Sequence, residues 1–186
     1  MTKAEMKCRL KNTLKPERYL HTLGVAYTAK KYAAKAGVDA DCAETAALLH
    51  DCAKSMNYEA MLALAEDAGV YVDDIEKQIP SIVHAPAGKA LAMRDYGITD
   101  EGILSAIRLH TIGGRRLSAL EMLIYLSDFI EPERKPFDGL DQVRALAERN
   151  LYAASRMAAR LSADYVMSRG GLVHPATIEM FQYTEE

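Results

Sequence analysis

Alanine and leucine dominate the apolar part of this sequence, and this limits the folds that the chain can adopt. There are 29 Ala and 20 Leu against only 10 Ile and 8 Val. Ala and Leu are strong helix formers, whereas β-branched side chains favour strands. A chain of 186 residues is long enough for one domain with a substantial core. The sequence therefore predicts an all-α fold, a compact single-domain helical bundle over residues 1–186.

Glycine, proline and capping residues divide this bundle into short helices. Pro16 suits a first helical turn and Gly37 suits the left-handed position after a helix end, which predicts one long helix between them. Ser118 and Glu121 form a capping-box pattern for a helix through residue 130. Residues 73–82 show no clear helical pattern. Further helices are predicted at residues 4–14 (within an N-terminal segment 1–15), 40–54, 57–69, 86–96, 100–110 with Thr99 as the cap, 141–149 and 151–169, and from Pro175.

Charge, hydropathy and cysteine content exclude several classes of protein. The net charge of -3 argues against a general nucleic-acid or membrane-surface binder. No segment approaches the roughly 20 apolar residues of a membrane span, and no secretion signal is evident. Cys8, Cys42 and Cys52 contain no C-x-x-C pair and are typical of reduced thiols. We expect a cytoplasmic protein that binds neither membranes nor nucleic acids, and Ala-rich faces suit a homodimer as well as a monomer.

Several polar side chains lie on otherwise apolar helical faces. His21, His50 and His110 each follow apolar residues, Asp51 comes directly after His50, and Asp128 lies inside an apolar helix. A single such histidine is more often a hydrogen-bonded core residue, and a lone buried carboxylate needs a partner. Their number favours a shared site instead. Imidazole and carboxylate groups together are ligands for Zn, Fe, Mn and similar ions, whose charge would offset the buried carboxylates.

The same residues resemble a known family. The ordered set His21, His50-Asp51 and Asp128 is similar to the metal-binding signature of the HD-domain phosphohydrolases, and His84 and His110 resemble the additional histidines of HD proteins that hold two metals. The surrounding segments are similar to the YqeK family, in order, over residues 18–183. These segments are RYLH (18–21), ALLHDCAK (47–54), HAPAG (84–88), HTIG (110–113), YLSDFIEPER (125–134) and GLVHPAT (171–177).

This resemblance implies a fold, an activity and a metal. YqeK-family proteins are compact all-α HD domains that cleave diadenosine tetraphosphate (Ap4A) symmetrically to two ADP at an iron-containing centre. The resemblance thus implies one or two iron ions, although Mn, Zn, Co or Ni also suit such ligands. Ser127, Ile112 and Leu117 depart from the residues usual in the family. None of them removes a ligand, but Ile112 and Leu117 would alter the pocket wall.

A mechanism follows as a hypothesis from this resemblance. His21, His50, Asp51 and Asp128 would hold the first ion, and Asp51 would bridge to a second ion held by His84 and His110. Metal-bound hydroxide would attack a phosphorus beside the central bridging oxygen, with ADP leaving. With only one ion, His84 and His110 would bind phosphate instead, and one of them would protonate the leaving ADP. Asp51, His84 and His110 are therefore the predicted catalytic groups.

Cations near these motifs are candidates for binding the phosphates. Arg18 lies one helical turn before His21, Lys54 lies three residues after Asp51, and Arg134 follows the helix of Asp128. Surface salt bridges are the alternative for Arg18 and Arg134. Thr111 is a further candidate hydrogen-bond donor. With His84 and His110, these are the predicted substrate-binding residues for a dinucleoside polyphosphate or an ADP-like nucleotide.

The end of the chain and the exact reaction leave alternatives open. Residues 170–186 are expected to fold back over the site, with His174 as a candidate contact to the substrate. A different HD-type nucleotide phosphohydrolase, either a nucleotidase or a phosphodiesterase, would use the same metal centre. A nucleotide-sensing module without turnover is the other alternative, and the presence of every candidate ligand argues against it.

Overall fold

The computed structural model describes residues 1–182, and within that range the chain forms eleven helices and no strand. The predicted all-α fold is confirmed. The helices are α1 Lys3–Thr13, α2 Pro16–Ala36, α3 Ala40–Leu49, α4 Tyr58–Asp67, α5 Asp74–Lys77, α6 His84–Tyr96, α7 Glu101–Leu109, α8 Ala119–Ile130, α9 Leu140–Ala147, α10 Leu151–Ser168 and α11 Pro175–Gln182.

Local sequence signals explain most of the helix ends. Ser118 caps α8 in a capping box with Glu121, and Pro16 opens α2, as predicted. Gly37 ends α2 with φ 69° in the left-handed region that suits glycine. The prediction that Thr99 caps α7 is wrong, because the Asp100 carboxylate accepts the hydrogen bond from the backbone N–H of Ile103. A carboxylate also interacts favourably with the positive end of the helix dipole.

The core is formed where α2, α3, α7 and α8 pack against one another. α2 contacts α3 and α8, while α7 contacts α3, α6 and α8, and α10 covers the other side of α8. Small side chains allow this close approach, since Ala46, Ala47 and Ala106 are completely buried. Gly88 in α6 also packs closely, because a Cβ there would lie 3.3 Å from Ile107 Cγ2.

This packing brings the ends of several helices to one side of the bundle. His21 lies in the second turn of α2, His50 directly follows α3, His84 opens α6, and His110 directly follows α7. Asp128 lies in the last turn of α8. No helix among the described residues is long and apolar enough to cross a membrane.

The described part of the C-terminal segment contacts the residues that precede α5 and those that follow α7. His174 Nε2 lies 2.9 Å from Asp73 Oδ2, and the Thr177 hydroxyl donates to the Ile112 carbonyl at 2.8 Å. Residues 183–186, and with them the end of the segment predicted to close over the site, lie outside the described residues. That closure stays a prediction.

Candidate metal centre and active site

Asp51 is the centre of the site, and each of its carboxylate oxygens faces a different pair of histidines. Oδ2 lies 3.5 Å from His50 Nε2 and 3.9 Å from His21 Nε2. Oδ1 lies 3.0 Å from His84 Nε2 and 3.7 Å from His110 Nε2. If two ions bind here, Asp51 would be a ligand to both.

Asp128 joins the site from α8. Its Oδ1 lies 3.0 Å from His21 Nε2 and 4.0 Å from His50 Nε2. The structure therefore brings together all six side chains that the sequence predicts as ligands. They form three overlapping groups in which every candidate ligand atom lies within 4.8 Å of the others: His21, His50 and Asp51; His50, His110 and Asp128; and Asp51, His84 and His110.

Backbone carbonyl groups orient three of the four imidazole rings. The Nδ1 atoms of His50, His84 and His110 lie 2.6, 2.8 and 2.7 Å from the carbonyl oxygens three residues earlier in the chain. A carbonyl oxygen can only accept, so each Nδ1 carries a proton, and each Nε2 would present its lone pair to a bound metal ion. Metal-ligating histidines are held in this way, with the second ring nitrogen donating to a carbonyl or carboxylate.

Glu131 performs this role for His21, and sequence reasoning did not assign it a role. Its Oε1 lies 3.0 Å from His21 Nδ1, and its Oε2 accepts from the backbone N–H of Glu133 at 2.6 Å. Gly24 makes the space, because a Cβ at that position would lie 2.5 Å from Glu131 Oε2. The signal in the sequence was a carboxylate one turn after Asp128, at the end of an apolar helix. Such a residue cannot be paired with His21 until α2 and α8 are packed together.

The electrostatics of the site favour a bound cation. Burial opposes the protonation of His21, but hydrogen bonds to Asp128 and Glu131 and the charge of Asp51 raise its pKa to about 9. Burial also disfavours the charged form of Asp51, yet the charge of His50 and hydrogen bonds from the nearby imidazoles hold the pKa of Asp51 well below its ordinary value. Without an ion, a proton on His21 partly neutralises the ionised carboxylates. A metal ion would take its place.

Two observations show that these residues fit a divalent metal. His50 Nε2 is buried and has no hydrogen-bond partner among residues 1–182, which is costly for a polar atom unless a ligand or water compensates it. His84 and His110 bring their Nε2 atoms within 3.1 Å of each other. Burial, with the charges of His110 and Lys54, lowers the pKa of His84 to about 4, so this imidazole is neutral near pH 7. A cation held by both imidazoles and Asp51 would stabilise this close approach of the two nitrogen atoms.

A cavity of about 920 Å³ opens directly onto this cluster. The predicted phosphate ligands Arg18, Lys54, Thr111 and Arg134 all line it, as do Asp51, His84, His110 and Asp128. Arg18 and Arg134 each form an ion pair of 2.8 Å with a candidate ligand, Asp51 and Asp128 respectively. A guanidinium group has five N–H donors, so each retains donors that its ion pair does not use.

Further residues around the cavity include some that the sequence predicted and some that it did not. The buried Thr111 hydroxyl has no hydrogen-bond partner among the described residues. His174 does not line the cavity, so its predicted contact with substrate is not apparent. Sequence reasoning missed the wall formed by the loop after α8 and one side of α10, including Phe137 and Tyr165. Nothing in the local sequence connects these two segments, which are neighbours only in the folded chain.

An all-α bundle in which histidine and aspartate side chains from separate helix ends surround one buried aspartate defines an HD-domain protein. The family described as "HD domain" matches residues 18–151, which is most of the chain. The chain belongs to this family, and the resemblance seen in its sequence motifs is confirmed.

Relatives in this family cover nearly the whole chain. The chain is 36% identical over 183 residues to a protein of Bacillus subtilis (strain 168) named symmetrical bis(5'-nucleosyl)-tetraphosphatase, covering 98% of this chain and 97% of the relative. A protein of the same name from Staphylococcus aureus is 30% identical over 179 residues, with 93% and 89% coverage. A Clostridium acetobutylicum crystal structure, described as a predicted HD superfamily hydrolase involved in NAD metabolism, has a TM-score of 0.93 at 36% identity and covers 98% of this chain and 96% of its own.

Proposed function

We propose that this protein is a metal-dependent hydrolase that cleaves Ap4A symmetrically to two ADP. The observation that carries the proposal is the arrangement of the cavity: four of the six metal-ligand side chains form part of its lining, with the cations Arg18, Lys54 and Arg134 beside them. A tetraphosphate needs both features, since its oxygens require positive charge and its central bond requires an activated water. The name of the full-length relatives supports the same substrate.

Each cation has a defined place in binding the polyphosphate. Arg18 and Arg134 are held by Asp51 and Asp128, so their remaining donors are fixed beside the metal ligands. Lys54 Nζ lies 2.9 Å from His84 Nδ1 and 3.2 Å from the Ser81 carbonyl. Burial lowers the pKa of Lys54, so its proton is more readily transferred than that of an exposed lysine. These groups would hold the two central phosphoryl groups in line with the attacking water.

We propose two ions, held as the sequence predicts. The first set is His21, His50, Asp51 and Asp128, and the second is His84, His110 and the bridging Asp51. A bound divalent ion lowers the pKa of water toward neutrality and stabilises charge on the transferring phosphoryl group. The mixed nitrogen and oxygen ligands suit iron, and also Mn, Zn, Co or Ni. Cytoplasmic localisation and a homodimer stay predictions.

The ion count is tested by metal analysis of wild type and of His84→Ala. Wild type should hold two ions per chain, and His84→Ala should lose about one of them because the second set depends on that ring. A wild type that is fully active with one ion per chain would contradict the two-ion arrangement. His84 and His110 would then bind phosphate directly.

The activity is tested by incubating the purified protein with Ap4A and Fe(II) under reducing conditions and separating the products. ADP should be the only product, and Asp51→Asn should abolish turnover because Asp51 belongs to both ligand sets. Release of AMP or inorganic phosphate would favour another HD-type phosphohydrolase. Nucleotide binding without turnover would favour a sensor.

A further inference from the structure

We propose that Phe137 is the stacking platform for the nucleobase of one ADP half, and that the wall around it is the nucleoside subsite. This apolar wall consists of Phe129, Phe137, Leu161 and Tyr165, all of which line the cavity. This inference rests on the proposed function, because it assumes that the substrate carries a nucleoside at each end.

The cations Arg18 and Lys54 lie on other segments of the cavity lining than the aromatic rings, whereas Arg134 and Lys135 share the loop of Phe137. The cations Arg18 and Lys54 come from α2 and from the turn after α3, beside the metal ligands. The apolar wall comes from the end of α8, the loop after it and α10. A nucleotide has the same division, with a charged phosphate chain at one end and a flat apolar base at the other. The lining is therefore complementary to a nucleotide, whereas inorganic polyphosphate would use only the polar part.

Phe137 is held in place but not buried. Its side chain is 42% exposed, and its ring packs edge-to-face against Phe129 with centroids 5.3 Å apart and planes at 89°. Exposed aromatic rings that are supported from one side are typical platforms for bases, since stacking requires a free face.

The loop that carries Phe137 is anchored at both ends. Arg134 forms its ion pair with Asp128 on one side. On the other side Gly139 has φ 96° and lies so close to α10 that a Cβ there would be 2.7 Å from Leu161 Cδ1. Only glycine adopts this conformation at such a close approach without strain. The position of Phe137 relative to α10 is therefore fixed by the backbone.

The spacing between the phosphate and base subsites suits a nucleoside diphosphate. Phe137 lies three residues after Arg134, so the two Cα atoms are at most about 10 Å apart. On α10, Leu161, Asp164, Tyr165 and Ser168 follow the spacing of one helical face, and all four line the cavity. The Asp164 carboxylate and the Ser168 hydroxyl provide hydrogen-bond partners for ribose or base groups between the two subsites.

The test compares the binding of ADP and of inorganic pyrophosphate to the metal-loaded protein by calorimetry. Phe137→Ala should weaken ADP binding about tenfold, the loss expected for one base–aromatic stack. Pyrophosphate binding should stay at the wild-type value, because that ligand has no base. Phe137→Tyr keeps the ring and should restore ADP binding. Tyr71→Ala removes an aromatic ring that is 76% exposed and does not line the cavity, so it should change neither affinity.

Two results would overturn the inference. Equal weakening of ADP and pyrophosphate would mean that Phe137 only supports the fold of the loop. Unchanged ADP binding in Phe137→Ala would place the base elsewhere. Both results are independent of turnover, so a wild type that binds ADP but fails to cleave Ap4A would contradict the proposed function while the comparison of the two ligands still tests the subsite.

Discussion

At the scale of single residues, the site depends on groups that never touch an ion. Glu131 holds the His21 ring at 3.0 Å, and Gly24 leaves the space that the Glu131 carboxylate occupies. A carboxylate behind a metal-bound imidazole fixes its orientation and raises its basicity. Glu131 is 2% exposed, and both of its carboxylate oxygens accept hydrogen bonds.

Glu131→Gln should weaken metal binding by about 10- to 100-fold, because an amide cannot accept from both His21 and the backbone N–H of Glu133. Competition with a chelator of known affinity measures the effect. Gly24→Ala should act in the same direction, since its Cβ would displace the Glu131 carboxylate. The matched control is Glu133→Gln, an exposed neighbour whose side chain has no part in the site. Metal affinity that is the same in all four proteins would rule out a positioning role for Glu131.

The ligands themselves could be predicted from sequence, whereas their supports could not. His21, His50, Asp51 and Asp128 are conspicuous because imidazoles and carboxylates are costly on apolar faces. Glu131 could equally have been a solvent-exposed residue after a helix end, and only the packing of α2 against α8 buries it.

At the scale of helices, the main difference between expectation and structure lies in the motif that carries Asp51. The sequence predicts a helix over residues 40–54, but α3 ends at Leu49. The backbone N–H groups of Cys52 and Lys54 donate to carbonyl groups three residues earlier, which makes tighter turns. Ala53 and Lys54 are good helix formers, so local propensity gave no sign of this end. Most other helix ends lie at capping residues or glycines that can be recognised in the sequence.

A buried ion pair joins α5 to α7 beside the site. Arg108 Nη2 lies 2.6 Å from Glu76 Oε2, and Glu76 is completely buried. Glu76→Met should reduce the free energy of unfolding by on the order of 3 kcal/mol, because it leaves the Arg108 charge without its partner. Urea denaturation measures this change.

The double variant Glu76→Met/Arg108→Met should be more stable than Glu76→Met alone, since no unpaired charge remains. Lys77→Ala, which breaks only the exposed pair with Asp74, should change stability by less than about 0.5 kcal/mol. A double variant that is less stable than the single one would mean that Arg108 contributes mainly by packing.

At the scale of the whole molecule, net charge is a poor guide to the ligand. The chain carries a net charge of -3, yet the proposed substrate is a tetraphosphate. Positive charge is concentrated where it is needed, since Arg18, Lys54, Arg134 and Lys135 all line the cavity. Over distances beyond the Debye length of about 8 Å the acidic groups elsewhere are screened.

Lys135→Glu should raise the KM for Ap4A about fivefold at low ionic strength, because it reverses a charge at the cavity. Lys11→Glu makes the same change in net charge on α1, away from the cavity lining, and should leave KM unaltered. Steady-state kinetics at increasing salt should bring the two variants together. Equal effects of both substitutions on KM would show that substrate binding depends on the net charge of the chain and not on charge at the cavity.

The hydrogen bonds between three imidazole Nδ1 atoms and backbone carbonyl groups have a further consequence for the energetics of ion binding. His50, His84 and His110 lose their side-chain freedom when the chain folds, since each Nδ1 donates to the carbonyl oxygen three residues earlier. The associated loss of conformational entropy, about 0.5–1.5 kcal/mol for each immobilised side chain, belongs to folding and not to metal capture. An ion arriving at this site meets ligands that are already ordered, so its affinity is set mainly by coordination and dehydration.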